Sequence, residues 1–169
     1  PLQRRAFRDL QGRAFEAVVY RHVSSEYDAL DSSGSLKAGG RWNPPGEYGV
    51  LYTALDEETV KAELERLAER QGLTLDDLAP RDLVSIEVSV SKVLDLTDNK
   101  TLEQIGVGEN EIVGNDVSLC LEISRRARRA IFEAILAPSA TGKGPILVIF
   151  PDRLRPTSRL QAVRKKKIL

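Results

Sequence analysis

The sequence predicts an α+β fold, in which strands and helices are mixed without a regular β-α-β repeat. Two segments carry most of this prediction: an alternating strand pattern over residues 82–93, and a helical pattern that begins after Asp56 and stops at Gly72. With 169 residues the chain has the length of one ordinary domain and can bury a sizeable core. We therefore expect a single domain and no second one.

The first predicted strand covers residues 15–23, a short run of aromatic and β-branched side chains that ends near Arg21. Residues 32–48 are rich in Gly, Ser and Pro, which predicts a long loop. Trp42 in the middle of this segment favours a loop that is ordered and docked on the domain. A second strand is predicted at 50–54.

The clearest predicted helix begins after Asp56, an N-cap residue followed by acids that favour the positive end of the helix dipole. The helix is expected to reach Gln71 and to end at Gly72. Four apolar residues at i, i+4, i+7 and i+8 form its buried stripe: Val60, Leu64, Leu67 and Ala68. Glu63 lies beside this stripe, and a carboxylate at the edge of a buried helix face suggests a function.

The third predicted strand, over residues 82–93, alternates apolar and polar side chains with the two-residue period of a half-buried strand. The remaining predicted elements are two helices and two strands, at 101–105, 117–130, 130–136 and 145–150. The basic tail at 164–167 is expected to be a solvated, frayed end.

Composition excludes several classes of function. The 25 basic and 25 acidic residues balance, which gives no whole-chain reason to expect a nucleic-acid partner. The arginine-rich segment 125–129 has no interleaved aromatic residues and is expected to be a solvated helix end. Cys120 lies in an apolar stretch, which predicts a buried thiol and a reducing cytoplasm. No apolar run approaches the roughly 20 residues that span a bilayer, so we expect a cytoplasmic protein without membrane contact.

Three candidate site residues, Arg41, Tyr52 and Glu63, follow one another at intervals of eleven residues. Arg41 lies in the glycine-rich segment 39–46, where glycines allow the backbone to approach a ligand closely. Its guanidinium matches the geometry of phosphate oxygens, and Arg21 supplies a second one twenty residues upstream. This set contains the groups needed to hold a phosphorylated nucleotide.

Taken alone, each candidate also has a structural interpretation. Arg41 suits a solvated turn and Tyr52 suits a sheet edge. Glu63 suits an ion pair along its own helix, with Lys61, Arg66 or Arg70 as partner. These alternatives stay open at this stage.

His22 is the only histidine, so a two-histidine metal site is impossible, and we expect no metal. A histidine at a strand end is typically a hydrogen-bonded structural residue. The glycine pairs in 106–108 and 142–144 match neither the dinucleotide fingerprint of Rossmann folds nor a P-loop. A bound nicotinamide nucleotide would therefore be held in another way.

Five blocks of sequence, in order and with preserved spacing, resemble the RES-domain toxins, the toxin halves of bacterial pairs with an Xre-like antitoxin. The blocks are 20–21, 40–43, 51–54, Glu63 and 138–140. The resemblance implies a single RES-type domain over residues 1–169 and is strongest over residues 15–155. The segments 1–13 and 160–169 are expected to be peripheral to it. It implies an ADP-ribosyltransferase-like fold, in which a split mixed β-sheet with flanking helices holds NAD in a central cleft.

The resemblance also implies that NAD is a substrate, that no cofactor is needed, and that a cognate Xre-like antitoxin binds the toxin in a higher-order complex. The implied reaction cleaves the nicotinamide–ribose bond of NAD by hydrolysis or phosphorolysis. Carried over by position, the implied catalytic residues are Glu63, Arg41, Tyr52 and Ser139. The substrate-binding residues are Arg21, Arg41, Tyr52, His22 and Asn43, and His22 stands where some relatives place tyrosine.

The chemistry of the residues agrees with this assignment. Nicotinamide leaves as a neutral molecule and needs no acid, whereas the ribose needs a carboxylate such as Glu63 to stabilise oxocarbenium character. Tyr52 can stack on the cationic ring, and Arg21 and Arg41 can hold the pyrophosphate. Ser139 can orient Glu63, or it can hydrogen-bond the nicotinamide amide or the ribose. Two alternatives share the same residues: transfer of ADP-ribose to a protein, and a non-catalytic nucleotide- or protein-binding module.

Overall fold

The structure is a computed structural model that describes residue 2 and residues 6–169. The helices are α1 (Ala6–Asp9), α2 (Ser33–Ala38), α3 (Glu57–Gln71), α4 (Asn99–Ile105), α5 (Glu109–Val113) and α6 (Ser118–Arg129). The strands are β1 (Arg13–Ser24), β2 (Leu51–Ala54), β3 (Arg81–Asp95), β4 (Ala134–Ala137), β5 (Ile146–Ile149) and β6 (Arg159–Lys167). The predicted α+β class is confirmed.

The six strands form one mixed sheet in the order β1-β2-β5-β4-β3-β6. Strand β1 also pairs with β3, so five of the strands close into a ring. The sheet has two antiparallel halves, β1-β3-β6 and β2-β5-β4, as expected for a split sheet. Strands β3 and β4 are parallel and are joined by three residue pairs, whereas β1 and β2 are joined by the single residue pair Tyr20–Ala54. Strands β1 and β2 therefore separate beyond this pair and leave space between them.

The alternating pattern of β3 determines which of its faces is buried. Val84, Ile86, Val88 and Val90 are all buried, as their two-residue period predicts. They belong to a hydrophobic cluster that takes side chains from all five strands of the ring. A second cluster packs other strand residues against helices α4 to α6 and includes the fully buried Trp42. The glycine-rich loop is thus docked on the domain, as Trp42 suggested.

Helix α3 forms where local sequence signals predict it. The Asp56 side chain accepts a hydrogen bond from the Thr59 amide at 2.7 Å, which caps the first turn. Gly72 ends the helix in the left-handed conformation, with φ of 65°. Val60 and Leu64 are buried against the sheet, where the helix packs on β1 and β2. This packing places the Glu63 edge of α3 beside the gap between the two strands.

The expectation of a frayed basic tail at 164–167 is wrong. These residues belong to β6, which pairs with β3 from Asp82–Lys167 to Ser89–Arg159. The pairing uses main-chain hydrogen bonds, so exposed basic side chains are compatible with it. Two of them also reach acidic partners, Lys165 with Asp82 at 3.3 Å and Lys166 with Glu57 at 3.0 Å.

The expectation of a solvated arginine cluster at 125–129 is wrong for Arg128. Its side chain is buried, lies 3.9 Å from the centroid of the Tyr48 ring and makes two 2.7 Å hydrogen bonds to the Asp152 carboxylate. Arg125 is partly exposed and pairs with Glu47. A paired and stacked guanidinium tolerates burial, because its charge is compensated and its flat faces are apolar.

The lone cysteine lies in the core, as predicted. Cys120 is fully buried, its thiol donates to the Ile112 carbonyl at 3.3 Å, and burial raises its pKa. This environment is that of a structural thiol. Across residue 2 and residues 6–169, no helix has the length and apolar character needed to cross a membrane.

Candidate active site

A cleft of about 210 Å³ lies between β1, β2, α3 and the glycine-rich loop. Five of the residues predicted from the sequence line it: Arg21, His22, Arg41, Tyr52 and Glu63. The other two, Asn43 and Ser139, lie one layer behind and are hydrogen-bonded to Tyr52 and Glu63 respectively. The fold thus brings all seven residues together, and their individual roles stay predictions.

Glu63 is held from the loop that follows β4. The Ser139 hydroxyl donates to Oε1 of Glu63 at 2.6 Å, and Ser139 itself is 3% exposed. The Ser139 oxygen also lies 2.6 Å from the Thr141 hydroxyl and accepts from the Thr141 amide at 3.1 Å. The carboxylate is therefore held in place by a buried hydroxyl.

The number of hydroxyl protons available determines which group donates in each of these hydrogen bonds. An ionised carboxylate only accepts, so the single hydroxyl proton of Ser139 is used on Glu63. The short contact between Ser139 and Thr141 then requires Thr141 to donate. Thr141 in turn accepts from the Lys143 amide at 3.3 Å. The sequence alone gave no reason to include Thr141, because its contact depends on the turn at 139–142.

Tyr52 has a second role besides lining the cleft. Its hydroxyl accepts from the Trp42 amide at 3.0 Å and donates to Oδ1 of Asn43 at 2.6 Å. Burial raises the Tyr52 pKa, so the phenol stays protonated and remains a donor. A Cβ atom on Gly40 would lie 2.5 Å from this hydroxyl, so glycine is needed there for the loop to approach the tyrosine.

Asn43 is a loop anchor that does not reach the cleft. It is fully buried, and its amide nitrogen donates to the carbonyls of Ser35 at 2.7 Å and Tyr48 at 3.1 Å. The Tyr52 hydroxyl donates to Oδ1 of Asn43, so both the oxygen and the nitrogen of the Asn43 amide are hydrogen-bonded. These contacts hold the loop against α2 and β2.

Arg21 and His22 are both hydrogen-bonded within the protein. The Arg21 guanidinium donates to the carbonyls of Ala29 at 2.5 Å and Asp31 at 2.7 Å, and burial lowers its pKa. His22 accepts at Nδ1 from Nε of Arg81 at 3.2 Å. Burial, followed by the charges of Arg81 and Arg21, lowers the His22 pKa to about 3. His22 is therefore neutral near pH 7, and its ring is hydrogen-bonded within the protein, as its strand-end position suggested.

The Arg41 guanidinium is anchored by backbone carbonyls at the end of helix α5. Its Nη1 donates to the carbonyls of Ile112 at 2.9 Å and Gly114 at 2.6 Å. These two bonds leave other N–H groups of the guanidinium for a ligand, as is also true of Arg21. Both arginines are thus held in place before any substrate binds.

The sequence predicts a role for two further arginines of the cleft, Arg66 and Arg70, only as possible ion-pair partners of Glu63. Both line the cavity. In the described part of the chain, neither lies within 4 Å of a carboxylate, so the proposed helix ion pair does not form. Their positions three and seven residues after Glu63 place them on its face of α3, which was a usable signal in the sequence.

Comparison with known proteins identifies relatives over most of the chain. The family model of the RES domain matches residues 16–166. The chain is 32% identical over 141 residues to proteins named NAD(+) phosphorylase MbcT from Mycobacterium bovis and Mycobacterium tuberculosis, which covers 82% of this chain and 76% of each relative. A protein of M. tuberculosis named as a probable NAD(+) phosphorylase is 30% identical over 132 residues, covering 78% of this chain and 63% of that protein.

A solved structure matches the whole architecture. The crystal structure of the M. tuberculosis MbcT–MbcA toxin–antitoxin complex superposes with a TM-score of 0.87 at 28% identity, covering 98% of this chain and 91% of the matched chain. Sequence and structure agree on the same relatives, and the resemblance drawn from the five sequence blocks is confirmed. The chain belongs to the RES domain family.

Proposed function

We propose that this protein is an NAD-degrading toxin that cleaves the nicotinamide–ribose bond of NAD with inorganic phosphate as acceptor, and that a cognate antitoxin neutralises it. The names of the relatives support the reaction, and the toxin–antitoxin complex of the matched structure supports the partner. One observation carries the proposal: Glu63 is held by Ser139 at the wall of a cleft that also presents Arg21, Arg41 and Tyr52.

In the proposed reaction the bond between the ribose carbon and the nicotinamide nitrogen breaks, and its electron pair stays with nicotinamide, which leaves neutral. A phosphate oxygen forms the new bond to the same carbon. The products are nicotinamide and an ADP-ribose phosphate. Glu63 stabilises the positive charge that develops on the ribose, and a fixed carboxylate does so without reorganising in the transition state.

The dimensions of the cleft suggest how NAD enters it. Its volume of about 210 Å³ is below the roughly 300–1,000 Å³ of pockets that enclose drug-sized ligands. It therefore suits the nicotinamide–ribose half, with the remainder of the dinucleotide extending outward. Arg21 and Arg41, already fixed by carbonyl groups, hold the pyrophosphate without losing further side-chain entropy.

Two finer points belong to the same proposal. NAD is consumed as a substrate, and the protein uses no resident cofactor. The antitoxin is an Xre-like protein that forms a higher-order complex with the toxin, as the family resemblance implies. Co-expression and purification of the protein with a candidate antitoxin, followed by measurement of the mass of the complex and of the remaining nicotinamide release, tests both the partner and the inhibition.

The central experiment incubates the purified protein with NAD, with and without phosphate, and measures nicotinamide by chromatography and the phosphorylated product by ³¹P NMR. Glu63→Gln should abolish nicotinamide release and leave the melting temperature unchanged. Glu65→Gln, an exposed position two residues further along α3, is the matched control and should stay active. A folded Glu63→Gln variant with wild-type activity would contradict the assignment.

Transfer of ADP-ribose to a protein uses the same site and differs only in the acceptor. Labelled NAD in a cell lysate distinguishes the two reactions. A labelled protein band that depends on Glu63 would favour the transferase, whereas labelled phosphorylated ADP-ribose supports phosphorolysis.

A further inference from the structure

The arginine pair on α3, Arg66 and Arg70, lacks an acidic partner in the described part of the chain. Arg66 and Arg70 are four residues apart on one helix face and line the cavity. Like charges at this spacing repel each other. Within residue 2 and residues 6–169, no carboxylate oxygen lies within 4 Å of either guanidinium. Two uncompensated guanidinium groups on a cavity wall form an arrangement that a bound anion stabilises.

The pair lies beside the groups assigned to the reaction. Nη1 of Arg66 approaches the carbonyl of Ala140 at 3.4 Å, a long contact that competes weakly with a ligand. Ala140 directly follows Ser139, whose hydroxyl holds Glu63. Arg70 lines the same cleft as Tyr52, and its charge opposes the rise in the Tyr52 pKa that burial causes. An anion held by the two arginines therefore lies in the cleft that Glu63 and Tyr52 also line.

The arginines of the cleft fall into two sets. Arg21 and Arg41 come from β1 and the glycine-rich loop, and each is tied to two backbone carbonyls. Arg66 and Arg70 come from the helix that carries Glu63. Phosphorolysis of NAD requires that two separate anionic groups be held near the reacting ribose, the pyrophosphate of the substrate and the attacking phosphate. Two sets of cations match this requirement.

We infer that Arg66 and Arg70 form the subsite for the acceptor, inorganic phosphate, and that Arg21 and Arg41 hold the pyrophosphate of NAD. The inference rests on the proposed phosphorolysis and adds to it the position of the second substrate. In the reaction, the bound phosphate supplies the oxygen that bonds to the ribose carbon while nicotinamide leaves with its electron pair. The two arginines bind phosphate and neutralise part of its charge as it approaches the Glu63 carboxylate.

The test is steady-state kinetics of nicotinamide release in which NAD and phosphate are varied independently. Arg66→Gln and Arg70→Gln should each raise the KM for phosphate about tenfold, the loss expected for one hydrogen bond to a charged group, and leave the KM for NAD unchanged. Lys61→Gln, an exposed cation on the same helix that does not line the cleft, is the control and should behave as wild type. A raised KM for NAD with an unchanged KM for phosphate would overturn the inference.

A binding measurement separates failure of the inference from failure of the proposed function. Inorganic phosphate alone should raise the melting temperature of the wild-type protein, because a ligand that binds only the folded state stabilises it. The Arg66→Gln/Arg70→Gln double variant should lose this increase. If the wild type releases no nicotinamide, the proposed function fails, but loss of the phosphate effect in the double variant still supports the subsite. An equal increase in melting temperature with phosphate in the wild type and the double variant would overturn the inferred subsite.

Discussion

The Ser139 hydroxyl donates a 2.6 Å hydrogen bond to Oε1 of Glu63, although 76 residues separate the two in the sequence. Ser139→Ala removes this donor and leaves the carboxylate free to rotate. We expect kcat to fall about 10- to 150-fold, the loss of roughly 1.5–3 kcal/mol expected for a hydrogen bond to a charged group. The KM for NAD should change little. Initial rates of nicotinamide release test this, and an unchanged kcat would show that Ser139 has no part in positioning Glu63.

Thr141 acts on the same carboxylate one step further away. Thr141→Val keeps the shape of the side chain but removes the hydroxyl that donates to Ser139. We expect a smaller fall in kcat than for Ser139→Ala, and recovery of activity in Thr141→Ser, which restores the donor. Loss of activity in both Thr141 variants would instead indicate a steric role.

Tyr52→Phe separates the two roles of this side chain. The ring remains available for stacking on nicotinamide, but the bonds to the Trp42 amide and to Asn43 disappear. Because the Asn43 oxygen is then buried without its donor, the free energy of unfolding should fall by about 1–3 kcal/mol. Urea denaturation measures this change. A variant as stable as wild type would show that the hydroxyl does not anchor the loop.

The protein should lose stability in mild acid through His22. Burial first, and then the charges of Arg81 and Arg21, lower its pKa from 6.5 to about 3. Between these values the unfolded chain binds a proton that the native state does not. Protonation of His22 therefore leaves the free energy of unfolding unaffected above pH 6.5 and lowers it as the pH falls below this value. Urea denaturation at pH 4.5 and 7.5 should show a larger loss in the wild type than in His22→Gln. Equal losses would rule out this source of acid sensitivity.

Ile131→Gly should stabilise the protein. Ile131 follows α6 with φ of 59°, where Ile131 N bonds to Arg128 O and Phe132 N bonds to Ala127 O. This pattern is a Schellman motif, in which glycine avoids the strain of a β-branched residue. Because Ile131 is 59% exposed, little packing is lost, and we expect a gain of about 1 kcal/mol in unfolding free energy. Ile131→Ala, which keeps a Cβ atom, should gain less.

Elements determined by local signals were predictable from the sequence. Helix α3 has a cap at each end and an apolar stripe between them, and β3 has an uninterrupted alternation. Strand β6 was missed because its basic side chains carry no apolar pattern and the strand exists through pairing with β3. Helix α2 was missed because it is short, lies within a segment rich in Gly and Ser, and has no side-chain cap.

The candidate site was predictable in composition but not in geometry. The sequence blocks contain six of the seven residues that the fold brings together, and the seventh, His22, directly follows the first block. The carbonyl partners of Arg41 lie 71 and 73 residues away, so its anchoring depends on tertiary packing that no local pattern encodes. Arg66 and Arg70, in contrast, share the helix face of Glu63, and their spacing would have identified them.

The pair Tyr20–Ala54, which alone connects β1 to β2, borders the cleft. A molecule that contacts Arg21 on β1 and Tyr52 on β2 bridges this weakest joint of the ring, so its binding energy also opposes separation of the two strands. A substrate bound to both residues would therefore link the two strands for as long as it stays bound. Backbone amides near residues 20–22 and 52–54 should then exchange with deuterium more slowly in a saturated, inactive Glu63→Gln protein than in the empty one.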